Sequence, residues 1–235
     1  MKTTFKVLNE KFLKLQLAYN EHQAKFPDII NQYAPEFREE KRQLHLQTGV
    51  NLHKPQFENL KIEVQSTIRT NMTDKNKLKF PLRFSDNSSD RLIGEQKLTN
   101  ARLLFAQFKE SPDVLAGELR SLIDSNDRDS AFSLIDVVSL STGDARTGDM
   151  QKFNFIKDTF YQNSGIQEID NELNSLQILE GQINDVVAAL NDGTPYIILP
   201  FQAAAMPDED FFNLQNKLRD QFGDFSFQKI KQFAS

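Results

Sequence analysis

The sequence predicts a mainly α fold, a helical bundle built on two long heptad-patterned helices at about 5–26 and 166–191, with a small β element at about 77–84 and 196–199. Three observations carry this. Apolar residues recur at alternating spacings of three and four in both long segments, the period of one helix face. Proline and glycine punctuate the rest at intervals that suit helices. One stretch alternates with period two, which is the period of a strand.

The first seam is Phe5, Leu8, Phe12, Leu15, Tyr19, His22 and Phe26. Pro27 ends or kinks that helix, because it removes a backbone donor, and Ile29, Ile30 and Tyr33 form a short second piece before Pro35. Residues 37–46 and 55–68 read as two separate helices, the first closed by Gly49 and the second opened by Pro55. Between Thr70 and Asp90 the chain turns polar around Leu78, Phe80, Leu82 and Phe84, separated by Lys79, Pro81 and Arg83. This alternation reads as an edge strand, since Pro81 cannot donate to a ladder.

Helical spacing resumes over 92–108, and Ser111-Pro112 supplies an N-cap and a first-turn proline for a helix over 113–123. The apolar run 132–140 suits a buried strand or a helix equally. Residues 152–161 are helical and stopped by Gly165; the second seam follows as Ile166, Ile169, Leu173, Leu176, Glu180, Ile183, Val187 and Leu190, closed by Gly193. Tyr196–Leu199 reads as a strand, 208–222 as a capped helix, and Phe225 with Phe227 as the start of a last strand. In domain terms the expectation is a basic helical region at 1–70, a polar extended arm or hairpin at 71–90, and an acidic helical region at 91–235 packed with the first as one domain.

Each seam holds one polar residue, His22 in the first and Glu180 in the second. An antiparallel pairing, within one chain or between two, that sets these two opposite each other also matches Phe26 with Leu176 and Tyr19 with Ile183 and would form a His22–Glu180 polar layer; the alternative is that both seams simply face a general helical core. Charge agrees, because 5–26 carries four Lys and two Glu while 166–191 carries five acids and no Lys or Arg.

With 20 Phe, 4 Tyr and no Trp, phenylalanine must supply most of the large buried surface; with no Cys, disulfides and thiolate metal sites are excluded. No apolar run approaches the length of a membrane span, and the start lacks the apolar stretch of a secretory signal. The expected location is the cytoplasm or a virion assembled there. Net charge is −5, but residues 1–110 hold 19 Lys and Arg against 13 acids, whereas 111–235 hold 9 against 20. Such a division suits attraction between the halves, an acidic partner, or nucleic acid.

Catalytic signatures are absent. The histidines at 22, 45 and 53 lack metal-ligand spacing, and no nucleophile elbow occurs. Gly143–Gly148 has phosphate-loop spacing but Asp149 stands where lysine is needed. The Asp124, Asn126, Asp127, Asp129 cluster breaks the calcium-loop pattern with Arg128 and fits helix capping, with Asp127 and Asp129 favoured at a helix N-terminus. No catalytic, cofactor or metal residue is therefore assigned, and no cofactor is expected.

The function these features suggest is a non-enzymatic structural or assembly protein. It would join protein partners, or copies of itself, through long helices and through an arm whose partner-binding residues are Leu78, Lys79, Phe80, Leu82, Arg83 and Phe84. A component of a large complex such as a phage particle fits this picture. The alternatives are a nucleic-acid-associated protein, using Lys75, Lys77, Lys79 and Arg83 with Phe80 and Phe84 as stacking surfaces, and an enzyme with a composite site. No membrane partner is expected.

Overall fold

The computed structural model describes residues 4–142 and 150–193. They are mainly helical, and among them there is no strand. In chain order the helices are α1 (Phe5–Ala24), α2 (Phe26–Ile30), α3 (Arg38–Lys79), α4 (Ser88–Phe108), α5 (Pro112–Asp124), α6 (Arg128–Thr142), α7 (Gln151–Asn163) and α8 (Ile166–Asn191), with a 3₁₀ turn at Pro35–Phe37. The strand and helix expected beyond residue 193, and the glycine loop at 143–148, lie outside the described residues. The chain divides into two compact units: one contains the described residues up to Thr67 and from Ser175 onward, the other is Ile68–Asn174. Both α3 and α8 therefore contribute to both units.

In the first unit α1 lies on α3. Leu8, Phe12 and Tyr19 are fully buried, and the Phe12 ring meets Phe57 edge-on at 6.0 Å. Tyr19 meets His53, and Lys11 pairs with Glu63 at 2.5 Å. Residue numbers on α1 rise as those on α3 fall, so the two helices are antiparallel. The same reasoning applies to α8, where Glu180 is level with Gln65 and Gly193 with Leu46. Two helices each antiparallel to α3 are parallel to one another. Within the chain, therefore, the antiparallel register expected between 5–26 and 166–191 does not form.

The expected break between 46 and 55 is also corrected, since α3 runs unbroken for 42 residues through Gly49 and Pro55. Gly49 is a site of close approach rather than a terminator: a Cβ there would fall 2.2 Å from Gln23 Nε2 and 2.9 Å from His22 Cδ2. Pro55 sits on the exposed side of α3, where the carbonyl it leaves without a helix partner can face water.

The second unit is built around α6. Ala131 to Ile135, Val137 and Val138 are all buried, which explains why the run 132–140 shows no clear helical period: a central helix is apolar nearly all round. Phe132 is its hub, with Phe160 at 4.7 Å, Tyr161 at 5.4 Å and Phe80 at 6.2 Å between ring centroids. The start of α6 is capped as expected by Asp127, whose carboxylate accepts from the Ser130 backbone N–H and hydroxyl. Helix α4 is capped by Asn87, which accepts from the Ser89 N–H at 2.9 Å.

The predicted strand at 77–84 is overturned. Residues 71–79 are the last turns of α3, and 81–84 form one further turn in which the Phe84 N–H bonds the Phe80 carbonyl. Leu78 with Leu82, and Phe80 with Phe84, are four residues apart as well as members of an alternating run. Pro81 breaks α3 and opens the next turn, and its following N–H groups, on Leu82 and Arg83, are capped by the Asp129 carboxylate of α6 at 3.2 and 3.3 Å. The expected extended arm is thus a helix end and a capped turn.

Candidate functional site

The residues the sequence nominates for partner binding lie in the second unit, mostly against its core. Phe80 is buried, Leu78 packs against the core cluster, and Leu82 and Arg83 are half-buried. Lys79 is only 8% exposed; its ammonium pairs with Asp136 at 2.8 Å and sits over the rings of Phe80 and Phe132 at 5.1 and 5.5 Å. The Arg83 guanidinium stacks on Phe80 at 4.2 Å and donates to Ser133. Phe84, at 39%, is the most exposed of the apolar four. Addition of this segment to a partner's sheet is not available, because the backbone donors of Leu82, Arg83 and Phe84 are already bonded.

The charge division between the chain's halves resolves here into ion pairs. Lys75 pairs with Asp170, Lys79 with Asp136, and Lys97 with Asp127. Burial alone would raise the Asp127 carboxyl; hydrogen bonds from Lys97 and Ser130, with the Lys97 charge, outweigh it and hold the group below the usual carboxylate range. Arg83 also faces Glu95 at 3.6 Å, so three of the four cations proposed for nucleic acid are already engaged.

Beside these pairs, α6, α7 and the first turns of α8 enclose an open cleft of about 460 Å³ lined by Ser139, Lys157, Tyr161, Gln162, Gln167 and Asp170, among others. The Tyr161 phenol is pushed up to about 12, first by burial and then by the carboxylates of Asp136 and Asp170. It stays protonated at neutral pH, so it is available as a hydrogen-bond donor rather than as a base. The cleft offers polar contacts and no nucleophile held by a base.

The first unit gathers what the sequence scatters. His22 and His45 stack in parallel at 4.5 Å, and His53 stands edge-on to His22 at 5.9 Å. These are all the histidines of the chain. His45 Nε2 lies 3.0 Å from the His22 carbonyl oxygen, so that nitrogen carries the proton and donates. His22 Nε2, both ring nitrogens of His53 and the buried Gln23 amide nitrogen have no hydrogen-bond partner. Burial, then the neighbouring His45, pushes the His22 imidazole down; burial, then His22, does the same to His53.

The sequence paired His22 with Glu180, and the structure brings each to α3 instead. Glu180 accepts from Gln65 Nε2 at 2.6 Å, whereas His22 faces residues 45 to 53. Twelve helical residues between 53 and 65 separate the two levels by about 18 Å. Leu179 and Val186 take the fully buried places in α8 that the heptad reading gave to Glu180 and Val187. Sequence reasoning also missed Gln16 and Gln23, buried on α1.

Among the described residues no group of three or more His, Cys, Asp or Glu could hold a metal ion, and no helix is long and apolar enough to cross a membrane. Comparison with protein families, with characterised proteins and with solved structures finds no match to this chain.

Proposed function

We propose that the protein is a non-enzymatic interaction and assembly protein that joins chains through its long helices, the first partner being a second copy of itself. The observation that carries this reading is one face of α3. Leu44, Thr48, Asn51, Leu52, Pro55, Asn59, Ile62 and Ser66 follow helical spacing down a single side, every one is exposed, and none is charged. Leu44, Leu52 and Ile62 are 58%, 53% and 63% exposed. A solvent-facing helix side is ordinarily charged, whereas the centre of a protein interface is depleted of charge.

This face runs about 33 Å at 1.5 Å per residue. It points away from the α3 side that carries His53, Phe57, Leu60 and Val64, so the core does not need it. An uncharged surface can pair with its own copy across a two-fold axis without opposing like charges.

Light scattering over a concentration series is expected to show a dimer that persists in high salt. Leu52→Lys with Ile62→Lys should return it to a monomer while leaving the helical circular dichroism and melting curve within about 0.5 kcal/mol of the parent, as surface changes do. A monomer at every concentration, or a dimer unmoved by both substitutions, overturns the assignment.

A further inference from the structure

We infer that the first unit carries a proton-operated latch, in which His22 and His53, gathered with His45 at one contact, hold α1 on α3 while neutral and release it when charged. This inference is independent of the proposed self-association, since the histidines lie on the buried side of α3 and the uncharged face on the exposed side.

The geometry is the argument. The three rings meet where Tyr19 and Phe26 close the contact, with Tyr19 edge-on to His53 at 5.8 Å and Phe26 against His45 at 5.5 Å. Gly49 lets the helices approach so closely that Gln23 and His22 would strike any Cβ at that position. A neutral His22 ring can stack on His45 at 4.5 Å and meet His53 edge-on; a proton on His22 or His53 puts a charge into this half-buried group of rings.

Compensation is missing. The groups whose electrostatics act on His22 are His45 on α3 and Lys25, the residue that ends α1; on His53 it is His22. Among the described residues no carboxylate acts on either ring. The charges on the neighbouring elements are Glu21 on α1, exposed beside His22; Lys41, Arg42 and Lys54 on α3, which pair with Glu40, Glu39 and Glu58; and Asp192 after α8, beside the Gly193 that lies level with Leu46. A new proton therefore meets cations and apolar rings. The unpartnered nitrogens of His22 and His53 give it no acceptor within the contact.

The direction of the pH effect follows from linkage. A histidine whose folded pKa lies below its unfolded value binds fewer protons when folded, so its contribution to stability is complete above the unfolded value of 6.5 and is lost as pH falls from there toward the folded pKa. Release of α1 is expected to set in below about pH 6.5, a window that other buried titrating groups seldom occupy.

Hydrogen exchange on the full chain, corrected for the intrinsic pH dependence of the amide rate, tests this. Between pH 7.5 and 5.5 the protection of residues 8–24 should fall several-fold while that of α6, in the other unit, holds. His22→Leu with His53→Leu should abolish the difference between the two pH values. Should that double variant fail to show native circular dichroism at pH 7.5, His53→Gln alone, which removes one titrating ring, must shrink it. Equal protection of α1 at both pH values, a parallel loss in α6, or an undiminished response in the variants overturns the latch.

Discussion

Gly94→Ala is expected to destabilise the second unit by about 3 kcal/mol, the upper part of the range for forcing atoms into a filled site. Gly94 is buried on α4, and a Cβ there would lie 2.6 Å from the Arg83 nitrogen and 2.8 Å from its Cα. These are backbone atoms of the turn that Asp129 caps, so nothing flexible can give way. Either α4 withdraws from the turn or the turn slides off the Asp129 carboxylate, and the second course also strips Arg83 from Phe80 and Ser133. Gly117→Ala is the control. It lies within α5, a Cβ there meets nothing within 4 Å, and the change should stabilise by about 0.5–1 kcal/mol through helix propensity alone. Urea unfolding followed by circular dichroism gives both values, and hydrogen exchange in α4 and α6 places the loss. If Gly94→Ala costs less than about 0.5 kcal/mol, the close approach of α4 to the turn does not hold this unit together.

The two glycines also show where the sequence stops being readable. Gly49 and Gly94 are there for close approach between elements distant in the chain, and local pattern records only that a glycine is present; read locally, Gly49 becomes a helix terminator. Pro55 misleads in the same way, because the usual meaning of proline is a helix start, while on the wet side of a helix that is well packed along its other side it is tolerated. Elements whose signal is local came through. The α5 start at Ser111-Pro112, the α6 cap at Asp127 and the stops at Gly165 and Gly193, both with φ of 74°, are where their residues imply.

Both long helices were legible from their apolar spacing, but their register was not. A seam states which side is buried and leaves open what it is buried against, and α3, broken in two by the sequence reading, was not available as the shared partner of α1 and α8. The histidine cluster was hidden for this reason. Positions 45 and 53 share a side of α3 only if the helix continues through 49, and 22 joins them only in the α1–α3 register. The alternating run at 78–84 failed differently: four apolar residues satisfy a period of two and a spacing of four equally well, and the capping carboxylate that decides between them is 46 and 47 residues away.

Asp136→Ala is the other large effect, expected at about 3 kcal/mol, and its neighbour explains why. Lys79 is 8% exposed and its ammonium has the Asp136 carboxylate and two aromatic faces around it. Removing the carboxylate leaves the cation with ring faces worth about 1–2 kcal/mol, less than the cost of holding an unpaired charge out of water. The side chain must then leave the core, which opens a gap against Phe132. Lys79→Met removes the charge and keeps the length, so it should fall within about 1 kcal/mol of the parent, since replacing a buried ion by an apolar chain of similar volume is often neutral. Combining the two should recover most of what Asp136→Ala loses, because with Met at position 79 no buried cation is left unpaired. Urea unfolding of the parent, both single variants and the double closes the cycle. A loss in the double as large as in Asp136→Ala alone would mean that Asp136 acts through something other than Lys79, and the ion pair would cease to explain why the 78–84 segment is fixed in the core.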